Sequence, residues 1–239
     1  MKAQHTKPSV LICSDDANFY VLLAYILSRE GFQTTLVSEN EVADQAAMRP
    51  VTAIILVAAE DSGPALRACA AIKASDTTAH VPTIAVVSSG DYLALLKAGA
   101  DENFVRPISP ARLMAYLGSL PKNDANHARL PDEDLEEARA CGPLSIEPGR
   151  RIVRYGGQEV QFGPIEFNLL RCFLEAPGRV RSRSDLIEAA WPPDRYVQPR
   201  TVDVHVGRLR RSLEGLTGRT LIRTVRATGY AIELDERSG

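Results

Sequence analysis

The chain has 239 residues, 45% of them hydrophobic and 24% charged, with a formal net charge of −2; it is longer than one domain of about 100–200 residues. No run reaches the roughly 18 apolar residues of a membrane span, and the first ten residues lack a secretory signal's apolar stretch, so a cytoplasmic protein without a membrane partner is expected. Cys13, Cys69, Cys141 and Cys172 are scattered, which fits neither a disulfide framework nor a CxxC metal site, so reduced thiols and no cofactor are expected.

Residues 1–120 alternate short apolar runs with helix-length amphipathic segments. Val10–Cys13 is expected as a buried strand, Ala17–Glu30 as a helix closed by Gly31, Gln33–Val37 as a strand, and Asn40–Met48 as a helix capped at Asn40. Ala53–Ala58 is apolar without alternation, as in a parallel strand covered on both faces, and Pro64–Ala74 follows as a helix with proline in its first turn. Thr83–Val87 and Asn103–Val105 are further strands, and Tyr92–Ala98, stopped by Gly99, and Ser109–Leu120 are further helices. Five successive βα units predict an α/β fold with a doubly wound parallel sheet.

Residues 121–142 hold two prolines and an acidic cluster, and are expected to be a linker. From 143 to 239 the pattern changes to α+β. Leu144–Ile146, Arg151–Tyr155 and Glu159–Phe162 are short strands separated by Pro148-Gly149 and Gly156-Gly157. Three helices follow: Pro164–Glu175, Arg183–Trp191 with Ser182 and Asp185 at capping-box spacing, and Thr201–Leu213. Ile222–Val225 and Tyr230–Glu233 pair as a hairpin around Arg226-Ala227-Thr228-Gly229.

Charge is uneven along the chain. Residues 1–122 carry 10 basic and 12 acidic side chains, residues 123–142 carry 2 and 6, and residues 143–239 carry 16 and 12. All 16 basic residues of the last stretch are arginines, whose planar fork suits phosphate oxygens and guanine edges. On the third helix of this stretch, Val202, Val206, Leu209 and Leu213 form a buried stripe, while Thr201, Val204, His205, Arg208 and Arg211 share a second face. An outward valine beside arginine suits a major groove, where the apolar side chain meets a thymine methyl and the guanidinium binds guanine. Arg183, at the start of the preceding helix, is placed for a phosphate, and Trp191 at its end fits either the core or a phosphate. Arg226, at the hairpin tip, is placed for a minor groove, and His205 for donation to a phosphate as a neutral imidazole.

The stretch FGPIEFNLLRCFLEAPGRVRSRSDLIEAAW, with RTVDVHVGRLRRSL and IRTVRATGYAIE after it, closely resembles the DNA-binding domain of OmpR/PhoB-type response regulators. The resemblance implies a winged helix-turn-helix on double-stranded DNA, with Thr201–Leu213 as recognition helix. It implies Val204 and Arg208 as base readers, and Arg183, Trp191, Arg200, Thr201 and His205 as phosphate binders. Arg226 is implied as the minor-groove residue, and Arg210, Arg211, Thr224 and Thr228 complete the expected DNA surface. Gly207 departs from the pattern, standing where PhoB-like members carry a basic residue.

The same resemblance implies that residues 1–120 are receiver-like, a domain that accepts a phosphoryl group on an aspartate. That chemistry needs acids after the first strand for Mg²⁺, a carboxylate ending the third, a hydroxyl after the fourth and a lysine after the fifth. Here Ser14-Asp15-Asp16 follows the first strand, so Asp15 and Asp16 are vestigial metal ligands, and the third strand ends in apolar residues with Leu56 or Val57 at the nucleophile position. Ser88 or Ser89 fits the hydroxyl, Asn103 stands where the family often has a switching aromatic, and Arg106-Pro107, expected to be cis, replaces Lys-Pro. Arg106 is expected to pair with Asp15 or Asp16 without a phosphate.

The expectation is a sequence-specific transcription regulator, a homodimer through its receiver-like domain, acting without aspartyl phosphorylation and with RNA polymerase as a further partner. Its alternatives are control of that domain by a small ligand, by a partner protein or by a displaced phosphoacceptor among Glu60 and Asp61. An enzyme is disfavoured, because the first domain has no glycine-rich phosphate loop and no nucleophile elbow. Cys13, ending the first strand, is expected to be packing rather than a redox sensor.

Overall fold

The computed structural model describes residues 7–58, 61–120, 144–192 and 197–234, and the backbone of 139–141. The chain divides into two compact units, residues 1–131 and 132–239. In the first, β1 (Ser9–Cys13), β2 (Gln33–Val37), β3 (Ala53–Val57), β4 (Thr83–Val87) and β5 (Glu102–Val105) form one parallel sheet in the order β2-β1-β3-β4-β5. The helices between them are α1 (Ala17–Arg29), α2 (Val42–Met48), α3 (Gly63–Ala74), α4 (Tyr92–Ala98) and α5 (Pro110–Ser119).

Every residue of β3 and β4 is buried, which explains their unbroken apolar runs: alternate side chains enter two separate cores. Leu11, Ile54, Leu56 and Ala85 pack with α2, α3 and α4. Val10, Ile12, Ile55 and Val57 pack with Leu23 and Leu27 of α1 and with Leu113 and Leu117 of α5.

The helix expected from a cap at Asn40 begins two residues later, because the local bonds come from a different pair. The Glu41 carboxylate accepts from the Ser38 amide and hydroxyl (3.4 and 2.7 Å), and those bonds hold it below the usual carboxylate range. Gly99 ends α4 at φ +128°, and it has a second reason to be glycine: an added Cβ would lie 2.4 Å from Lys73 Cγ. Lys73 Nζ is packed there to reach Asp101 Oδ2 (2.9 Å) and the carbonyls of Ala79 and Val81, so this partly buried cation is satisfied.

The second unit opens with a four-stranded antiparallel sheet of β6 (Arg139–Cys141), β7 (Leu144–Glu147), β8 (Ile152–Tyr155) and β9 (Gln158–Gln161). Residues 139–141 were expected in the linker, yet they form the edge strand of this sheet. Residues 121–138 and 142 of that segment lie outside the described residues, as do Glu60 and the side chains of Ser89 and Cys141. Three helices follow, α6 (Pro164–Leu174), α7 (Arg183–Ala190) and α8 (Pro199–Thr217), and then a second sheet of β10 (Arg181–Ser182), β12 (Gly229–Ile232) and β11 (Ile222–Val225).

The two-residue β10, too short to leave a periodic signal, ties the start of α7 to the hairpin strand β12. Gly229 makes that pairing possible, since a Cβ there would stand 1.9 Å from the Arg181 carbonyl oxygen. α8 is longer at both ends than expected from its central apolar stripe. Leu216 extends the stripe, and Gly218 closes the helix at φ +69° with its amide on the Glu214 carbonyl (2.8 Å).

Candidate nucleic-acid interface

The turn into α7 is fixed by a capping box: Asp185 N donates to Ser182 Oγ (3.1 Å) and Ser182 N to Asp185 Oδ2 (2.9 Å). These bonds lower the Asp185 pKa. The box sets Arg183 at the first turn of α7, where its Nε donates to Asp203 Oδ1 of α8 at 2.8 Å. Tyr230 of β12 donates its hydroxyl to the same oxygen at 2.7 Å, and the guanidinium lies 5.3 Å from the Tyr230 ring centroid. Burial, followed by the bond to Asp203, raises the Tyr230 pKa. This cluster joins α7, α8 and the wing, and places two donors against an acid on the partly exposed face of α8.

That face differs from the expected one by about one residue. The side not packed on the core carries Arg200, Asp203, Val204, Gly207 and Arg211, with Arg200 and Arg211 exposed and Val204 half-buried. Thr201 and His205, expected on it, are buried, so they do not present donors to a phosphate. Counting them as polar in the helical pattern misassigns them, because each finds room in the core. His205 Nδ1 lies 2.9 Å from Glu166 Oε1 of α6, and its ring meets the Trp191 ring edge-on with centroids 5.4 Å apart. Trp191, which fitted either core or phosphate, is buried in the core.

Arg208, expected to read a base, turns inward instead: its side chain is only 13% exposed, with Nη1 3.5 Å from Glu166 Oε1. Glu166 was absent from the expected residues. An acid inside the apolar run PIEFNLL is the signal that could have found it, since a carboxylate on a core-facing helix requires buried partners. Arg210 is also occupied, donating from Nε to the Ile222 carbonyl (2.9 Å) and from Nη2 to Thr224 Oγ1 (3.0 Å), which pins α8 to β11. Arg226 and Thr228 are exposed at the hairpin tip. Of the arginines expected on the DNA surface, Arg200, Arg211 and Arg226 are therefore exposed, with Arg183 one-third open at 33%.

In the first unit, the C-terminal ends of the strands gather the other expected residues. Cys13 and Leu56 are register partners, as are Val57 and Val86, and both Leu56 and Val57 are buried. Asp16 is the N-cap of α1, its Oδ1 accepting from Phe19 N at 3.0 Å, and Ser14 Oγ bonds the Asp16 backbone. Asp15 is exposed. The Arg106–Pro107 peptide is cis; the Arg106 guanidinium lies 4.4 Å over the Phe19 ring, and its Nη1 is 4.0 Å from Asp16 Oδ2. Ser88 is exposed just past β4, and Asn103 is buried with its amide on the Tyr92 carbonyl at the start of α4.

These residues offer Mg²⁺ fewer oxygen ligands than the resemblance implies, because the third strand ends without a carboxylate. One surviving acid caps a helix beside a fixed guanidinium, the other is exposed, and no group of three His, Cys, Asp or Glu side chains comes together among the described residues. Burial, with Asp15 and Glu39 nearby, raises the Cys13 thiol to about 11, which leaves it protonated and a poor nucleophile at neutral pH.

Residues 157–232 match the family model described as transcriptional regulatory protein, C terminal. Over 230 residues, 95% of this chain and 99% of the relative, the sequence is 33% identical to the phosphate regulon transcriptional regulatory protein PhoB of Rhizobium meliloti. It is 32% identical to the transcriptional regulatory protein PrrA of Mycobacterium tuberculosis over 232 residues, 96% of this chain and 97% of that one. A solved RitR mutant shares the fold over 95% of this chain and 99% of its own, with a TM-score of 0.64 at 18% identity. No helix among the described residues is long and apolar enough to cross a membrane. Two-domain organisation, winged helix and full-length relatives agree: the chain belongs to the OmpR/PhoB family of response regulators and is a DNA-binding transcription regulator.

Proposed function

We propose that this regulator works without aspartyl phosphorylation, its receiver-like unit pairing two copies on DNA rather than receiving a phosphoryl group. The observation that carries the reading is the end of β3, where Val57 closes the strand, buried among the α1 and α5 core residues. An acyl phosphate forms only when a carboxylate oxygen attacks the donor phosphorus, and neither Leu56 nor Val57 supplies one. Arg106, packed on Phe19 near Asp16, already sets a permanent cation in the pocket, so the local charge balance does not wait for a phosphate. Asp61, the described acid nearest in sequence after the strand, accepts from Gly63 N at 2.9 Å at the entry to α3.

The partners under this reading are double-stranded DNA, a second copy of the chain and RNA polymerase, in the cytoplasm, with no catalytic role for either unit. Incubation with acetyl phosphate and Mg²⁺ followed by intact-mass measurement tests it, and no gain of about 80 Da, one phosphoryl group, is expected. A stoichiometric, base-labile adduct on Asp15, Asp16, Glu60 or Asp61 would overturn the proposal.

A further inference from the structure

We infer that the outer face of α1 is the surface on which two copies of this chain pair, helix against antiparallel helix. The inference rests on the pairing reading proposed above and names its surface. The segment ANFYVLLAYILSR is apolar on both sides. Leu23 and Leu27 enter the core, while Val21, Leu22 and Tyr25 stay 64%, 55% and 61% exposed. A surface helix ordinarily turns a polar face outward, and clustered exposed apolar side chains mark an interaction site. Among the described residues the other exposed large apolar side chains, Leu36, Met48, Val105 and Val160, lie one each on β2, α2, β5 and β9.

The pattern of this face fits a second copy of the chain as its occupant. Asn18, Leu22, Tyr25 and Arg29 follow at intervals of four, three and four residues, one stripe of a helix. Those intervals read the same in both directions. An antiparallel copy therefore sets Leu22 against Tyr25, and Asn18 against Arg29, each twice. The two ends also complement each other in charge: Asp15 is exposed just before the helix, and Arg29 is exposed in its last turn. In the antiparallel pair they are offset along the axis by about 4.5 Å, three residues at 1.5 Å each, which an arginine side chain spans. Three exposed apolar side chains fall well short of the roughly 20–30 residues a side of a stable interface. Pairing is therefore weak in the free chain and is completed on DNA, where adjacent half-sites raise the effective concentration.

The full chain is used to select a tandem operator from random duplex DNA. Affinities for one half-site and for two are then compared in wild type and variants, with melting temperatures to confirm folding. Leu22→Ser combined with Tyr25→Ser should leave single-site affinity unchanged and weaken binding to the tandem site roughly ten-fold or more. Asp15→Arg and Arg29→Asp should each weaken it several-fold, because like charges then meet at both ends, and the two together should restore it. Val105→Ser, on β5, should change neither affinity. Cooperative binding that survives the α1 variants, or a double charge exchange that fails to restore it, would overturn the α1 surface and leave the pairing reading standing. Independent binding of the two half-sites by wild type would overturn both.

Discussion

Arg183 Nε and Asp203 Oδ1 lie 2.8 Å apart, so the first residue of α7 is fastened to the recognition helix. The pair is more than one-third open to solvent on average, and its own contribution to stability is at most about 1 kcal/mol. Its larger effect is on charge, because an acid facing a duplex would repel phosphates without Arg183 and Tyr230 on the same oxygen. Arg183→Ala should weaken binding to all DNA sequences alike. If the guanidinium also neutralises one phosphate, the slope of log K against log salt should flatten by about 0.9. A salt titration on operator and unrelated duplexes decides this, and a loss confined to the operator would contradict it.

His205 distinguishes a core residue from a phosphate ligand. It is buried against Trp191 and Glu166, so His205→Ala should destabilise the second unit by about 2–4 kcal/mol through the cavity it leaves. Trp191 is the single tryptophan of the chain, and its emission should shift as the contact is lost. Unchanged stability with a reduced salt dependence of DNA binding would return His205 to the surface role.

The capping box gives a pH dependence with a definite sign. Asp185 has a lowered pKa in the folded chain, so its contribution is present above the unfolded value near 4 and is lost as pH falls through the folded one. Asp185→Asn should cost about 0.5–1 kcal/mol at neutral pH, the lower part of the range for helix caps because the site is exposed. Denaturant unfolding at a series of pH values should show the gap closing below about pH 4. A constant gap would mean that the Asp185 charge plays no part in the cap.

Pairing of two copies predicts a dependence on helical phase. Cooperative binding to tandem half-sites about 10–10.5 bp apart should disappear when about 5 bp are inserted, and return in part with a full turn. Equal affinity at all three spacings would mean independent monomers.

Much of the fold was legible because burial on both faces of β3 and β4 leaves unbroken apolar runs, and because Ser182 and Asp185 stand at capping spacing. The stripe Val202, Val206, Leu209 and Leu213 was legible for the same kind of reason, a period matched to one buried face. The rest failed where polar residues are buried by partners distant in sequence. His205 finds Glu166, and Arg208 turns to the same carboxylate, across 39 and 42 positions respectively; no local pattern marks such pairs. Strand β10 was invisible because two residues have no period, and the clash that demands Gly229 appears only when Arg181 is beside it. In the pocket, the apolar end of β3 was plain from the residues, whereas the use of Asp16 as a helix cap was not.

An acyl phosphate is proposed to be dispensable for DNA binding, and operator affinity tests this most directly. Operator affinity is measured by fluorescence anisotropy before and after incubation of the full chain with acetyl phosphate and Mg²⁺. With no carboxylate at the end of β3, no new charge arises to favour one conformer over another, and the two binding curves should superimpose. Tighter binding after the incubation, accompanied by a base-labile phosphoryl adduct on the protein, would contradict the account.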